Sequence, residues 1–171
     1  MLEKFLIEGP TPLHGTIKVS GSKNAALPLM AAAILADSES TLHNIPRLKD
    51  IYTFAEVIRA TGVEIDYDES VNSMNIRPNS MHTAVAEYDL VRKMRASFYM
   101  LGAFLGRTGS AKVSLPGGCA WGPRPVDLHI KTMEALGATI ELENGYVLAE
   151  SPNGQLQGGA MHLEPSSVGA T

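Results

Sequence analysis

The line RATGVEID at residues 59–66 returns as EALGATIE at 134–141, shifted by a constant 75 positions that pair Ala60 with Ala135, Gly62 with Gly137 and Ile65 with Ile140. A repeat of this length means that one supersecondary unit is built twice, and that each copy needs a neighbour to cover its apolar face. No other feature of the chain narrows its fold as far.

The elements of each copy can be read from periodicity. GTIKVSG (15–21) alternates apolar and polar residues as a half-buried strand does. NAALPLMAAAILA is helical, and because Pro28 lacks an N–H the regular helix is expected to begin close to it or to kink there. STLHNIP reads as a short strand. DIYTFAEVIRATG reads as an amphipathic helix with Asp50 at its N-cap, Ile51, Phe54 and Ile58 on one stripe, and Gly62 just past its end. GVEIDYD and SMNIRP close the unit as a hairpin.

The same order follows again: a helix DLVRKMRASFYMLGAFLG, a strand SAKVSLP, a glycine loop, a helix PVDLHIKTMEALG and a hairpin ATIELENGYVLAES that turns at Asn144-Gly145. A third copy is expected from GAMHLEPSSVGAT, which echoes TIKVSGSKNAAL and reaches Thr171 before its helix. The boundaries predicted are repeat 1 at about 15–80, repeat 2 at about 86–151 and a truncated repeat 3 from about 159, so that the chain reads as part of a longer repeat protein.

With 171 residues, 44% of them apolar, the chain can bury a sizeable core. Its net charge of -4 argues against a general nucleic-acid surface, so any anion must be held by a few local cations. No membrane-length apolar run or signal peptide is evident, and the lone Cys119 points to a free thiol in a reducing compartment; a cytoplasmic address is the expectation. Scattered histidines and a single cysteine give no metal-ligand spacing, and no metal is predicted.

Chemistry concentrates in SLPGGCAWGPRPVDLH (114–129), where Gly117, Gly118 and Gly122 surround Cys119, and Arg124 precedes Pro125 at a helix start. A guanidinium beside free helix N–H groups attracts anions, and the same field favours a thiolate; a plain connection with a buried cysteine is the alternative. SGSKNAA repeats the design with Lys23 and Asn24 at a helix mouth, and Arg95 falls at the repeat position of Lys23. His129 reads as a core-edge residue, and Asp127 as either a dipole partner or a ligand acceptor.

Five segments in register, GSKNAALP, YDLVRKMRAS, PGGC, RPVDLHI and SVGAT, closely resemble the N-terminal part of the bacterial UDP-N-acetylglucosamine 1-carboxyvinyltransferase family. The resemblance implies an α/β (α+β) fold of repeated βαβαββ units from an inside-out α/β barrel, here incomplete, with residues 1–21 as strands that join a second lobe and 22–171 as a partial first lobe. It implies transfer of enolpyruvate from phosphoenolpyruvate to the 3-hydroxyl of UDP-N-acetylglucosamine, with phosphate release, in peptidoglycan synthesis. Those two small molecules are the partners it implies; no cofactor, nucleic acid or membrane is involved.

By matching motif, Cys119 takes the place of the family's general acid and of the cysteine alkylated by fosfomycin. Lys23, Asn24 and Arg124 match phosphoenolpyruvate contacts. Arg95, Arg124, Pro125, Val126, Asp127, Leu128, Ser167, Val168 and Gly169 match the UDP-N-acetylglucosamine side. Pro165 stands where many relatives carry lysine. The family's general base, an aspartate, belongs to the second lobe, and none of Asp37, Asp50, Asp66 or Asp89 sits in a matching motif, so the chain alone is expected to be inactive. The alternatives are a transferase acting on shikimate 3-phosphate and a non-catalytic binding lobe.

Overall fold

A computed structural model describes residues 4–92, 94–116 and 126–171, with Arg95 described by its backbone alone. The helices are α1 (Lys23–Ala32), α2 (Lys49–Arg59), α3 (Tyr88–Val91), α4 (Met100–Thr108) and α5 (Asp127–Ala135). The strands are β1 (Ser40–Leu42), β2 (Glu64–Asp68), β3 (Ser73–Arg77), β4 (Val85–Ala86), β5 (Ser110–Ser114), β6 (Thr139–Glu143) and β7 (Tyr146–Glu150).

The repeat is visible in the topology. One sheet runs β1-β3-β2 and the other β4-β5-β7-β6, so β1, β2 and β3 of the first copy correspond to β5, β6 and β7 of the second. Ser40 faces Ile76 across β1 and β3, and Ser110 faces Glu150 across β5 and β7, both antiparallel. Gly62 and Gly137, the glycines paired by the sequence repeat, both have φ of +92°. Each lets its helix leave through a left-handed residue and enter the hairpin.

Turn chemistry sets the second hairpin as expected: Asn144 at φ 51° and Gly145 at φ 81° supply the two positive dihedrals that a two-residue turn matched to strand twist requires. In α2 the stripe Ile51, Phe54 and Ile58 is fully buried. Each such side chain contributes about 1.5–3 kcal/mol by leaving water. In β3 Met74 and Ile76 are buried, and in β7 Val147 and Ala149, each flanked by more open residues, so these strands face the helices on one side and solvent on the other. Helices inside and sheets outside give the α+β, inside-out arrangement.

Five sequence expectations are corrected. Residues 15–21 form no strand, and Ile17 and Val19 are exposed. Their counterpart in the second repeat is β4, which pairs parallel with β5. In the first repeat β1 is the edge of its sheet and pairs with β3 alone among the described strands, so residues 15–21 add no ladder there. Helix α1 begins at Lys23, well before Pro28, which sits inside it. The first turn is already closed by Ala25 and Ala26 N–H groups on the Ser22 carbonyl, so the proline deletes only the bond that would have reached Asn24.

Asp50 is not an N-cap: Leu48 occupies that position with extended dihedrals, and Asp50 lies in the first turn. The segment 89–106 is not one helix. Extended dihedrals at Met94 (φ -154°, ψ 138°) interrupt it, and a 3-10 turn, Arg95–Tyr99, leads into α4. Val91 and Met94 are both buried, so apolar anchors on either side of the break hold the bend in place. The proposed third copy has no strand in 155–166. It does make one helical turn at its end, where Ser167 accepts the Ala170 N–H on Oγ at 3.3 Å and the Thr171 N–H on its carbonyl at 3.1 Å.

Candidate functional site

The site is assembled from the starts of helices. Ser22, Lys23 and Asn24 open α1, Arg95 opens the turn into α4, Val126 precedes α5, and Ser167 caps the last turn. A helix start leaves backbone N–H groups without intrahelical partners, so gathering several of them creates a region suited to anionic oxygen. No acidic residue occupies the first turn of α1 to neutralise it.

A cleft of about 250 Å³ lies among the elements these starts open, with Asn24 the one start residue on its wall among those described. Asn24 and Pro28 of α1 form one wall, Phe98 and Tyr99 another, His129 and Met133 of α5 a third, and residues 168–171 border it. Val168 is almost fully exposed at its mouth. Gly169 packs where a Cβ would lie 3.4 Å from His129 Nε2 and 3.9 Å from Tyr99 Cε1, so a larger residue there would crowd the wall. The His129 ring stands edge-on to Phe98, with centroids 5.4 Å apart.

Thus Asn24, Val168 and Gly169, separate in sequence, border one cleft, with Ser167 fixing the turn that presents the last two. Lys23 is half-buried beside it in sequence, its Nζ donating to Asp50 Oδ2 at 2.7 Å. Val126 is buried at the start of α5, Leu128 is half-buried, and Asp127 is exposed, 4.0 Å from Lys131 one turn on. Cys119, Arg124 and Pro125 lie outside the described residues, as does Trp121. Arg95 begins its 3-10 turn as the repeat alignment anticipates.

Sequence reasoning missed Phe98 and Tyr99 as cleft residues, although their place just after Arg95 in the repeat was a usable signal. It also missed the Lys23–Asp50 pair; Asp50 was visible at a helix start, where the sequence places it as the N-cap, but its partner 27 residues away was not. Among the described residues no group of three His, Cys, Asp or Glu is placed to hold a metal, and no helix is long and apolar enough to cross a membrane.

Two stacked repeats with helices inside and sheets outside define the class: this is an enolpyruvyl-transferase fold. The crystal structure of the enolpyruvyl transferase NikO from Streptomyces tendae matches it with a TM-score of 0.70 and 25% identity, covering 85% of this chain and 31% of that one. EPSP synthase from Acinetobacter baumannii shares the fold at a TM-score of 0.58 and 15% identity, over 80% of this chain and 32% of its own. At the level of sequence, residues 7–171 match the family EPSP synthase (3-phosphoshikimate 1-carboxyvinyltransferase), and the chain belongs to it.

Within that family, the UDP-N-acetylglucosamine 1-carboxyvinyltransferase of Chloroherpeton thalassium is 49% identical over 171 residues, which cover 99% of this chain and 39% of the relative. The enzyme of the same name from Rhodospirillum centenum is 49% identical over 178 residues, covering 99% of this chain and 41% of its own. The chain therefore spans about two fifths of the length of these relatives.

Proposed function

We propose that this chain carries the first-lobe part of a site that transfers enolpyruvate from phosphoenolpyruvate to the 3-hydroxyl of UDP-N-acetylglucosamine, releasing phosphate, in the cytoplasmic route to peptidoglycan and so in cell-wall growth, shape and division. The observation that carries this reading is the cleft shared by Asn24, Val168 and Gly169, three motif residues more than 140 positions apart at their extremes, in a chain 49% identical to relatives of that name.

The roles follow from charge. Both substrates are multiply anionic, and departure of phosphate concentrates negative charge on oxygen, so cations and backbone N–H groups held in advance lower the barrier. Lys23, Asn24 and Arg124 take phosphoenolpyruvate. Arg95 and Arg124, the run Pro125, Val126, Asp127 and Leu128, and the turn Ser167, Val168 and Gly169 take the nucleotide sugar. Cys119, on a loop rich in glycine, delivers a proton to the enolpyruvyl carbon as a thiol. As a thiolate the same sulfur is the nucleophile that fosfomycin or phosphoenolpyruvate would label.

Intact-mass measurement tests this directly. Adding phosphoenolpyruvate or fosfomycin, with and without UDP-N-acetylglucosamine, should give a covalent mass that Cys119→Ser abolishes. A chain that binds shikimate 3-phosphate and not UDP-N-acetylglucosamine would support the other substrate in the family's description instead.

A further inference from the structure

We infer that Asp50 is a positioning residue for Lys23: its carboxylate fixes the ammonium at the mouth of α1 and leaves two N–H donors for an anionic oxygen of the substrate. The inference rests on the reading above, in which Lys23 meets phosphoenolpyruvate, and assigns that lysine a partner from the other helix of its repeat.

The pair is poorly explained as a device for stability. Lys23 Nζ and Asp50 Oδ2 lie 2.7 Å apart, but the two side chains are 40% and 42% exposed. Ion pairs so open to water contribute little, because screening weakens the attraction and ordering the lysine costs rotamer entropy. Lys23 is also the first residue of α1, with no acidic residue in that turn. A cation there opposes the helix dipole and adds to the positive field already present.

Asp50 is placed differently. As the second residue of α2 it sits in a first turn that favours a carboxylate, so it can be held without help from Lys23. Its rigid anchorage is the buried stripe of α2, whose Ile51 is the next residue and fully buried. The short side chain on a fixed helix is thus the stationary member, and the long lysine is the one whose freedom is removed. An ammonium has three donors and Asp50 Oδ2 takes one. Among the described residues no second acceptor is placed on the other two, at a helix start whose first turn holds no acidic residue.

This reading makes a prediction opposite in sign to simple electrostatics. If Asp50 acted only as a negative charge near the site, Asp50→Asn would strengthen anion binding. If it positions Lys23, the same change should weaken phosphoenolpyruvate binding by roughly three- to tenfold, the cost of re-immobilising one long side chain. Asp50→Glu should restore part of the loss, and in a Lys23→Ala background Asp50→Asn should have no further effect.

The experiment uses the full chain with its lysines uniformly labelled with 13C and 15N and chemically unmodified, following the Lys23 side-chain Cε–Nζ signal by NMR relaxation during titration with phosphoenolpyruvate and, separately, inorganic phosphate. Expected are a Cε–Nζ signal more ordered for Lys23 than for exposed Lys4, loss of that order in Asp50→Asn, and the graded affinities above. A Lys23 signal as mobile as that of Lys4 in the unsubstituted chain, or tighter binding by Asp50→Asn, overturns the positioning role alone. An ordered Lys23 that neither ligand perturbs overturns instead the reading that it meets the substrate, and the inference with it.

Discussion

The Arg107 guanidinium donates to the Ile34 carbonyl at 2.8 Å, across 73 residues of sequence and from the second repeat to the first. The same nitrogen reaches the Ala36 carbonyl at 2.7 Å, and the other terminal nitrogen reaches Asn79 Oδ1 at 3.1 Å. Ile34 and Ala36 lie where the chain leaves α1, a place where carbonyls have run out of intrahelical N–H partners. One arginine therefore closes a helix end and joins the two copies.

Replacing it should cost accordingly. Arg107→Ala is expected to lower stability by about 1.5–3 kcal/mol, the range for hydrogen bonds to a charged group whose partners are left unmade. Arg107→Lys should recover only part, since a single ammonium cannot reproduce the planar fork. Urea unfolding midpoints of the three chains check this; equal midpoints for Arg107→Ala and the unsubstituted protein would remove the clamp.

Gly21 is required for a different reason. A Cβ on it would lie 1.7 Å from the Asn44 carbonyl oxygen, and no side-chain adjustment can relieve a clash with backbone. Gly21→Ala should destabilise by about 1–3 kcal/mol through the forced backbone shift, and should displace the adjoining Ser22, Lys23 and Asn24. Gly158→Ala, which meets nothing within 4 Å, is the control and should leave the unfolding midpoint unchanged.

Tyr146 should titrate late. Its phenol donates to Glu87 Oε2 at 2.6 Å, and that hydrogen bond, with some burial added, raises its pKa above the ordinary phenol value. Because the folded pKa is the higher one, the stabilisation is fully present below the unfolded phenol value of about 10 and is lost as pH rises through the folded value. Absorbance titration of phenolate should show a late component that Glu87→Gln moves down. Tyr146→Phe should keep the ring that lies 4.7 Å from Lys112 Nζ while flattening the alkaline part of the stability profile.

What the sequence disclosed, and what it did not, follows the range of each interaction. The Gly62 and Gly137 exits, the Asn144-Gly145 turn and the Ile51, Phe54 and Ile58 stripe were legible because each is decided by a few neighbouring residues. The break at Met94 was not, since helical periodicity runs on through it and only burial of residues on both sides selects the bend. Residues 15–21 alternate correctly, but a strand needs a partner, and alternation says nothing about whether one lies beside it. The site divides in the same way. Its helix starts could be picked out one at a time, whereas the meeting of Asn24 with Gly169, and of Lys23 with Asp50, depends on how separate elements pack.

The isolated 171 residues should bind substrate without turning it over. Transfer to the 3-hydroxyl needs a group to accept that hydroxyl's proton, and the resemblance assigns this to an aspartate outside the matched motifs. Among the described residues that border the cleft there is no aspartate or glutamate. His129, which borders it, is packed edge-on against Phe98 and close under Gly169, an arrangement that restricts the ring from swinging toward a substrate oxygen. General-base assistance is worth typically 10²–10⁴-fold, and losing it along with the second lobe's phosphate contacts should leave phosphate release at the background rate. A phosphate-release assay with both substrates at saturation is the check. Release above the background that disappears in Cys119→Ser would mean that these residues contain a complete catalytic site, with His129→Gln then the variant that asks whether the imidazole serves as the base.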